Sequence, residues 1–285
     1  MLMRRTGAVL AAAAMTLGLA ACADAGEYSS VEEKIKDGGE VTIGTKWDQP
    51  HLSLKQGPGE PEGFDVDVAR YIVKELADGQ DVKITWRESP QASREALLQN
   101  GTVDMIIASY SITAARQNYV TFAGPYVIAH QDTMVRADAA HIAKATDLMG
   151  KRICQVPGSN SYKRITESPP DGQLGLPAVL VGANSYSECV QKLISGDLDA
   201  VTTDDMMLAG LSSHNPDKYK LLKDPFTDER YGVGLKKGDT ATCEAVNRAI
   251  AKMWRDGTAT RLLRKWFGQT GLTLPTTAPP AEGCS

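Results

Sequence analysis

The chain has 285 residues, a formal net charge of −4 at pH 7, 42% hydrophobic residues and 6% aromatic ones. A mildly acidic chain with few aromatics is a poor nucleic-acid binder. An anionic ligand would need a locally basic pocket inside that acidic shell.

Residues 1–21 read as a leader. Arg4 and Arg5 form its basic start, and the apolar run 8–21 is too short to span a bilayer comfortably. The run closes on Leu19-Ala20-Ala21-Cys22, the pattern of a bacterial lipobox, in which Cys22 is diacylated and becomes the first mature residue. Removal of 1–21 takes away Arg4 and Arg5 and no acid, so the formal charge falls from −4 to −6. The expectation is an exported body, anchored through the lipidated Cys22 to the outer face of the cytoplasmic membrane. A short acidic, Ser-containing tether follows over 22–39.

Strands and helices then alternate. A strand is predicted over 41–44, with Lys46 just beyond it. The stretch 64–77 has Ala69, Ile72, Val73 and Leu76 on one helical face. A strand over 82–86 and a helix over 93–100, with Arg94 near its start, precede the apolar run 103–108, which reads as a buried strand. This order predicts a layered α/β unit. The last strand runs into Ser109-Tyr110-Ser111-Ile112-Thr113-Ala114-Ala115-Arg116, where Thr113 is a good N-cap for a short helix holding Arg116. The strand tip thus sets backbone groups and hydroxyls of Ser109, Ser111 and Thr113 beside a guanidinium, a set suited to a small carboxylate.

The pattern nearly repeats. Residues 97–106 and 193–201 both read as helix end, Gly turn, apolar residue, Asp and buried strand. The second copy runs into Thr202-Thr203-Asp204-Asp205, so two units would each present a polar strand tip, the end where ligands sit in open α/β sheets. The second unit begins with a strand over 151–156. Pro157-Gly158-Ser159-Asn160-Ser161 then opens a helix with backbone N–H groups aimed at an anion. Ser185 and Glu188 have capping-box spacing. Past residue 224 come a strand around 231–235 and two helices, the second closed by Gly268.

Besides Cys22 the chain has Cys154, Cys189, Cys243 and Cys284, an even number that suits disulfides in an oxidising compartment. Three pairings are open. Cys154 and Cys189 fall in one region, and Cys243 and Cys284 bracket the C-terminal helices, which favours those two pairs. No Cys-x-x-Cys occurs and the four His are scattered, so neither a metal site nor a cofactor is expected.

Gly63-Phe64-Asp65-Val66-Asp67-Val68 with Ile72, Val73 and Leu76 resembles the signature of extracellular solute-binding proteins of the polar amino-acid family, the substrate receptors of ABC importers. The Ser109–Arg116 segment, Phe122-x-x-Pro125-Tyr126 and the Asp204 segment follow in family order. The likeness covers roughly 40–267. It implies an α/β two-lobed periplasmic-binding-protein (type II) fold. Lobe one would hold 40–135 and 226–270, lobe two 136–225, with hinges near 135–138 and 223–227 and a tail over 271–285. It implies a monomer that captures a free amino acid for a membrane permease, with no catalysis.

By the same resemblance Arg116 grips the ligand α-carboxylate, with Ser109, Ser111 and Thr113 around it. Asp204 receives the α-ammonium, Asp205 is a solvated cap, and Ser159, Asn160 and Ser161 add donors. Asp65 and Asp67 are read as structural, favouring the helix dipole. Arg94 would read a distal carboxylate, with Lys46 a second candidate. Residues 44–50, 153–156 and 186–189 resemble actinobacterial glutamate-type receptors, which points to glutamate or aspartate ahead of asparagine or glutamine. Gln91 and Val156 depart from relatives that carry an aromatic and a Lys there. Two other readings use the same scaffold: a sensor feeding a membrane signalling partner, and a cyclohexadienyl dehydratase. His51 and His130 both look peripheral to the strand tips, which disfavours the enzyme.

Overall fold

The computed structural model describes residues 28–284. The leader over 1–21 and the acylated Cys22 lie outside them. Part of the expected tether is helical: Val31–Lys36 is capped by Ser30 and buries Ile35. Its first N–H groups donate to Asp239 Oδ2 (3.1 Å) and Thr242 Oγ1 (2.8 Å), which fixes it to the body. The buried Ile35, the satisfied orphan N–H groups and the Lys34–Asp104 ion pair at 2.9 Å together dock this short helix.

The first α/β unit is built around strand Val41–Thr45, parallel to Ile84–Glu88 on one side and to Met105–Ile106 on the other. Helix Phe64–Leu76 packs its Phe64, Val68, Ala69, Ile72, Val73 and Leu76 against this sheet. Its N-cap Gly63 has φ 143°, and a Cβ there would overlap the Leu52 carbonyl, so both conformation and space demand glycine. Only Met105 and Ile106 of the apolar run 103–108 pair as a strand. Val103, Ile107 and Ala108 are buried outside it, and Ile107 N still donates to Gly44 O at 3.0 Å before the left-handed turn at Ser109.

The internal repeat has a physical origin. Asp104 Oδ2 accepts from Thr42 N (2.7 Å), and Asp199 Oδ2 accepts from Arg152 N (2.8 Å). Each Asp follows a left-handed glycine turn, Gly101 or Gly196, and secures the start of a neighbouring strand.

One strand, Val120–Arg136, serves both units. Its residues 120–131 pair antiparallel with the return strand Thr227–Lys236. Its far end pairs with Val201–Asp204 and Tyr219–Leu221. The second unit is completed by Arg152–Gln155, parallel to Val179–Gly182 and bridged to Ala200.

Helices Thr240–Arg255 and Thr258–Phe267 return to the first unit, where Phe267 meets Phe64 edge to face at 6.0 Å. Full burial of a side chain such as Leu263 or Phe267 contributes about 1.5–3 kcal/mol. Gly268 ends the second helix at φ −60°, so the expected left-handed cap is absent. Both favoured disulfides, Cys154–Cys189 and Cys243–Cys284, are present. The second holds the tail, whose Glu282 N donates to Gly124 O at 2.8 Å and whose carboxylate pairs with Arg230 at 2.7 Å. Among the described residues no helix is long and apolar enough to cross a membrane.

Candidate ligand-binding site

Ser109 holds a left-handed backbone, φ 45°, unusual for a residue with a side chain. Its N–H donates to Asp65 Oδ2 at 2.7 Å and its hydroxyl to Gln49 Oε1 at 3.1 Å. Tyr126 donates to the other Asp65 oxygen at 2.7 Å. Asp65 therefore does more than favour a helix dipole: it anchors the strand tip. Burial pushes its carboxyl up to about 6, against the hydrogen bonds from Tyr126 and Ser109 and the charge of Arg94.

Thr113 caps helix Ala114–Gln117, its hydroxyl accepting from Arg116 N at 3.3 Å, so that hydroxyl is already engaged. The Arg116 guanidinium donates to Ser111 O (2.8 Å) in the first unit and to Gly158 O (3.0 Å) in the second. It lies 4.9 Å from the centroid of the Tyr110 ring, and Arg94 lies 5.0 Å from the same centroid. Tyr110 in turn donates to Glu95 Oε1 at 2.6 Å.

Arg94 is 1% exposed. Its Nε reaches Ser89 O at 3.4 Å, and its Nη2, like Ser89 Oγ, is buried without a partner. Burial first, and then Arg116, lowers its pKa to about 10. Glu95 and Asp65 support its charge only through space. Lys46 is equally buried but pairs with Asp48 Oδ1 at 3.2 Å and Glu88 Oε1 at 3.8 Å. Lys46 thus has carboxylates in direct contact, whereas those near Arg94 act only at a distance.

Across from these, Asp204 ends strand Val201–Asp204 beside Gln131. Tyr231 of the return strand donates to Asp204 Oδ2 at 2.6 Å. Burial, then the neighbouring Glu229, pushes the Asp204 carboxyl up to about 8, while Arg116 favours its charge.

Of the three polar residues after Gly158, Ser159 and Ser161 are held within the second unit and Asn160 is held by the return strand. Ser159 Oγ bonds Tyr186 OH (2.7 Å) and accepts from Ser161 N (3.1 Å), so one N–H expected to face an anion is taken. Ser161 Oγ meets Thr203 Oγ1 at 3.1 Å, and Asn160 Nδ2 donates to Glu229 Oε2 at 3.1 Å. Asp205 is not a solvated cap: it accepts from His130 N at 3.0 Å and from Met206 N at 2.7 Å, and burial raises its pKa. Val156 is buried in the apolar core. Trp47 carries the Lys55 ammonium 4.2 Å from its ring centroid. Ser185 Oγ accepts from Glu188 N (3.2 Å), but Glu188 bonds Asn184 N (2.8 Å), so only half of the capping box forms.

Tyr231, Glu229, Gln131 and Tyr186 were not singled out from the sequence. Among the described residues no cluster of three His, Cys, Asp or Glu could hold a metal ion.

Two α/β units that share one long strand, with Arg116 of the first bonded to Gly158 of the second, have the architecture of a two-lobed solute receptor. Residues 41–269 match the model of the bacterial extracellular solute-binding proteins, family 3, and the chain belongs to that family. It is 40% identical to the glutamate-binding protein GluB of Corynebacterium glutamicum, over 96% of this chain and 94% of that one. It is 35% identical to the ABC transporter glutamine-binding protein GlnH of Bacillus subtilis, over 87% and 92% of the two chains. Among solved structures, an ancestral arginine-binding protein bound to arginine aligns with a TM-score of 0.72 at 32% identity, covering 81% of this chain and 99% of that one. The fold is the two-lobed periplasmic-binding-protein type II fold. The protein is an exported solute receptor, not an enzyme.

Proposed function

We propose that this protein is the lipid-anchored, monomeric receptor of an amino-acid ABC importer, tethered at Cys22, and that its ligand is acidic: L-glutamate or L-aspartate. The supporting observation is Arg94, a fully buried guanidinium with an unpartnered Nη2 beside a second guanidinium. An isolated buried cation is costly, and a ligand carboxylate would compensate it. In this reading Arg116 takes the α-carboxylate, Asp204 the α-ammonium and Arg94 the distal carboxylate. Ser109 and Ser111 line the α-carboxylate end. Ser159, Asn160 and Ser161 hold the second lobe's wall. Lys46 contributes field rather than a contact.

The ribbon formed by residues 127–131 and 227–231 would be the hinge, upstream of the first crossing expected from sequence, because Val135 already pairs with Lys220 in the second lobe. Closure brings Asp204 onto the ligand, which favours the closed state differentially. Micromolar affinity needs about 8 kcal/mol. Charge-assisted hydrogen bonds at about 1.5–3 kcal/mol each supply this, less ordering costs. A thermal-shift screen of the twenty amino acids tests the reading. Glutamate or aspartate at a hundred times its Kd should add about 2.7 kcal/mol of stability. Stabilisation by arginine or histidine alone would refute it.

The raised pKa of Asp204 gives a signed prediction. The group is neutral below about 8 in the free protein, whereas an ammonium partner requires the carboxylate. Binding at pH 7 therefore releases a proton, and affinity falls as pH drops below about 8. In the absence of ligand the sign reverses. An acid raised on folding favours the fold below its unfolded pKa, so stability is lost as pH rises from 3.8 to about 8. Calorimetry in buffers of different ionisation enthalpy reads the proton; identical heats in phosphate and Tris would contradict the assignment.

A further inference from the structure

Two glycines stand where the lobes meet. Gly210 lies inside helix Asp205–Ser212 of the second lobe, and a Cβ on it would overlap the carbonyl oxygen of Pro50 in the first. Gly158 lies in the turn before helix Ser161–Thr166, where a Cβ would sit 2.5 Å from Ala92 N and from Gln91 C. Both obstacles are backbone atoms, which no change of rotamer can move aside. Direct bonds accompany them: Arg116 Nη2 to Gly158 O at 3.0 Å, and Ser187 Oγ to Asp48 O at 3.0 Å.

Gly210 has no conformational reason to be glycine. It is an ordinary helical residue without a positive φ, and alanine is the better helix former. Only the approach of Pro50 excludes a side chain. The atoms nearest a Cβ on Gly210 all belong to Pro50, which is not among the groups assigned to the ligand.

We infer that Gly210, with Gly158 as the second contact point, sets how far the cleft shuts, so that ligand affinity depends on the missing Cβ. The inference rests on the capture-by-closure reading. A methyl at Gly210 leaves the open form free of overlap and improves its helix, while it props the lobes apart in the closed form. The ligand then binds a state whose closed population is reduced, and apparent affinity falls with that population.

The test is Gly210→Ala in the mature, full-length protein, compared with wild type. The thermal midpoint without ligand, calorimetric titration with L-glutamate, and small-angle X-ray scattering with and without glutamate are read together. Expected results are a ligand-free midpoint equal to wild type or higher, an affinity lowered about tenfold or more, and no compaction on adding glutamate. Wild-type affinity with wild-type compaction would overturn the inference. So would a lowered ligand-free midpoint or failure to fold, since the Pro50 contact would then belong to permanent packing rather than to closure. Wild type titrated alongside separates the two readings. No glutamate binding by wild type counts against the proposed ligand, and normal binding by the variant counts against the glycine.

Discussion

Arg116→Ala weakens glutamate binding by about 2–5 kcal/mol, roughly thirty-fold to several thousand-fold. The guanidinium now joins Ser111 O to Gly158 O across the lobes while stacking on Tyr110. Its removal leaves the ligand carboxylate desolvated with no cation. It also deletes one bond that holds the lobes shut, so closure and recognition fail together. Titration calorimetry reads the effect directly. An affinity within a factor of two of wild type would remove Arg116 from the site.

Arg94→Met moves stability and affinity in opposite directions. The free protein gains about 1–3 kcal/mol, the penalty of a buried donor left unsatisfied, less the lost contact with Tyr110. Glutamate binding loses about 2–5 kcal/mol, whereas glutamine, lacking the distal charge, loses far less. A residue that costs the empty fold and serves only the ligand is what selection for binding retains. Thermal denaturation and parallel titrations with the two amino acids check this. Equal losses for glutamate and glutamine, or a less stable free protein, would show that Arg94 is a structural residue.

Local pattern made the frame readable. The face formed by Ala69, Ile72, Val73 and Leu76 marked its helix, and the two Asp-bearing turns marked the repeated strand starts. The cysteine placement separated one pairing from its two rivals because each pair lies within one region. The placement of Arg116 in a short helix capped by Thr113, and of Asp204 at the end of a strand, was legible from local pattern.

What sequence could not supply were bonds between distant positions. Asp65 meets Ser109 across 44 residues and Tyr126 across 61, and Tyr231 meets Asp204 across 27. No periodicity encodes such pairs, so Asp65 read as a helix-dipole acid and Tyr231 as one more strand residue. The short hydroxyl residues carry internal bonds that sequence does not show either. The hydroxyls of Thr113, Ser159 and Ser161 meet a helix N–H, a tyrosine and a threonine. Asp205 looked solvated because it follows Asp204, but the backbone N–H of His130 claims it.

The decisive measurement is a crystal structure of the mature protein with L-glutamate. The account predicts one molecule between the lobes, its α-carboxylate on the Arg116 guanidinium, its nitrogen on Asp204 and its side-chain carboxylate on Arg94 Nη2. Glutamate found elsewhere, or seated in the cleft with its side chain turned away from Arg94, would contradict it.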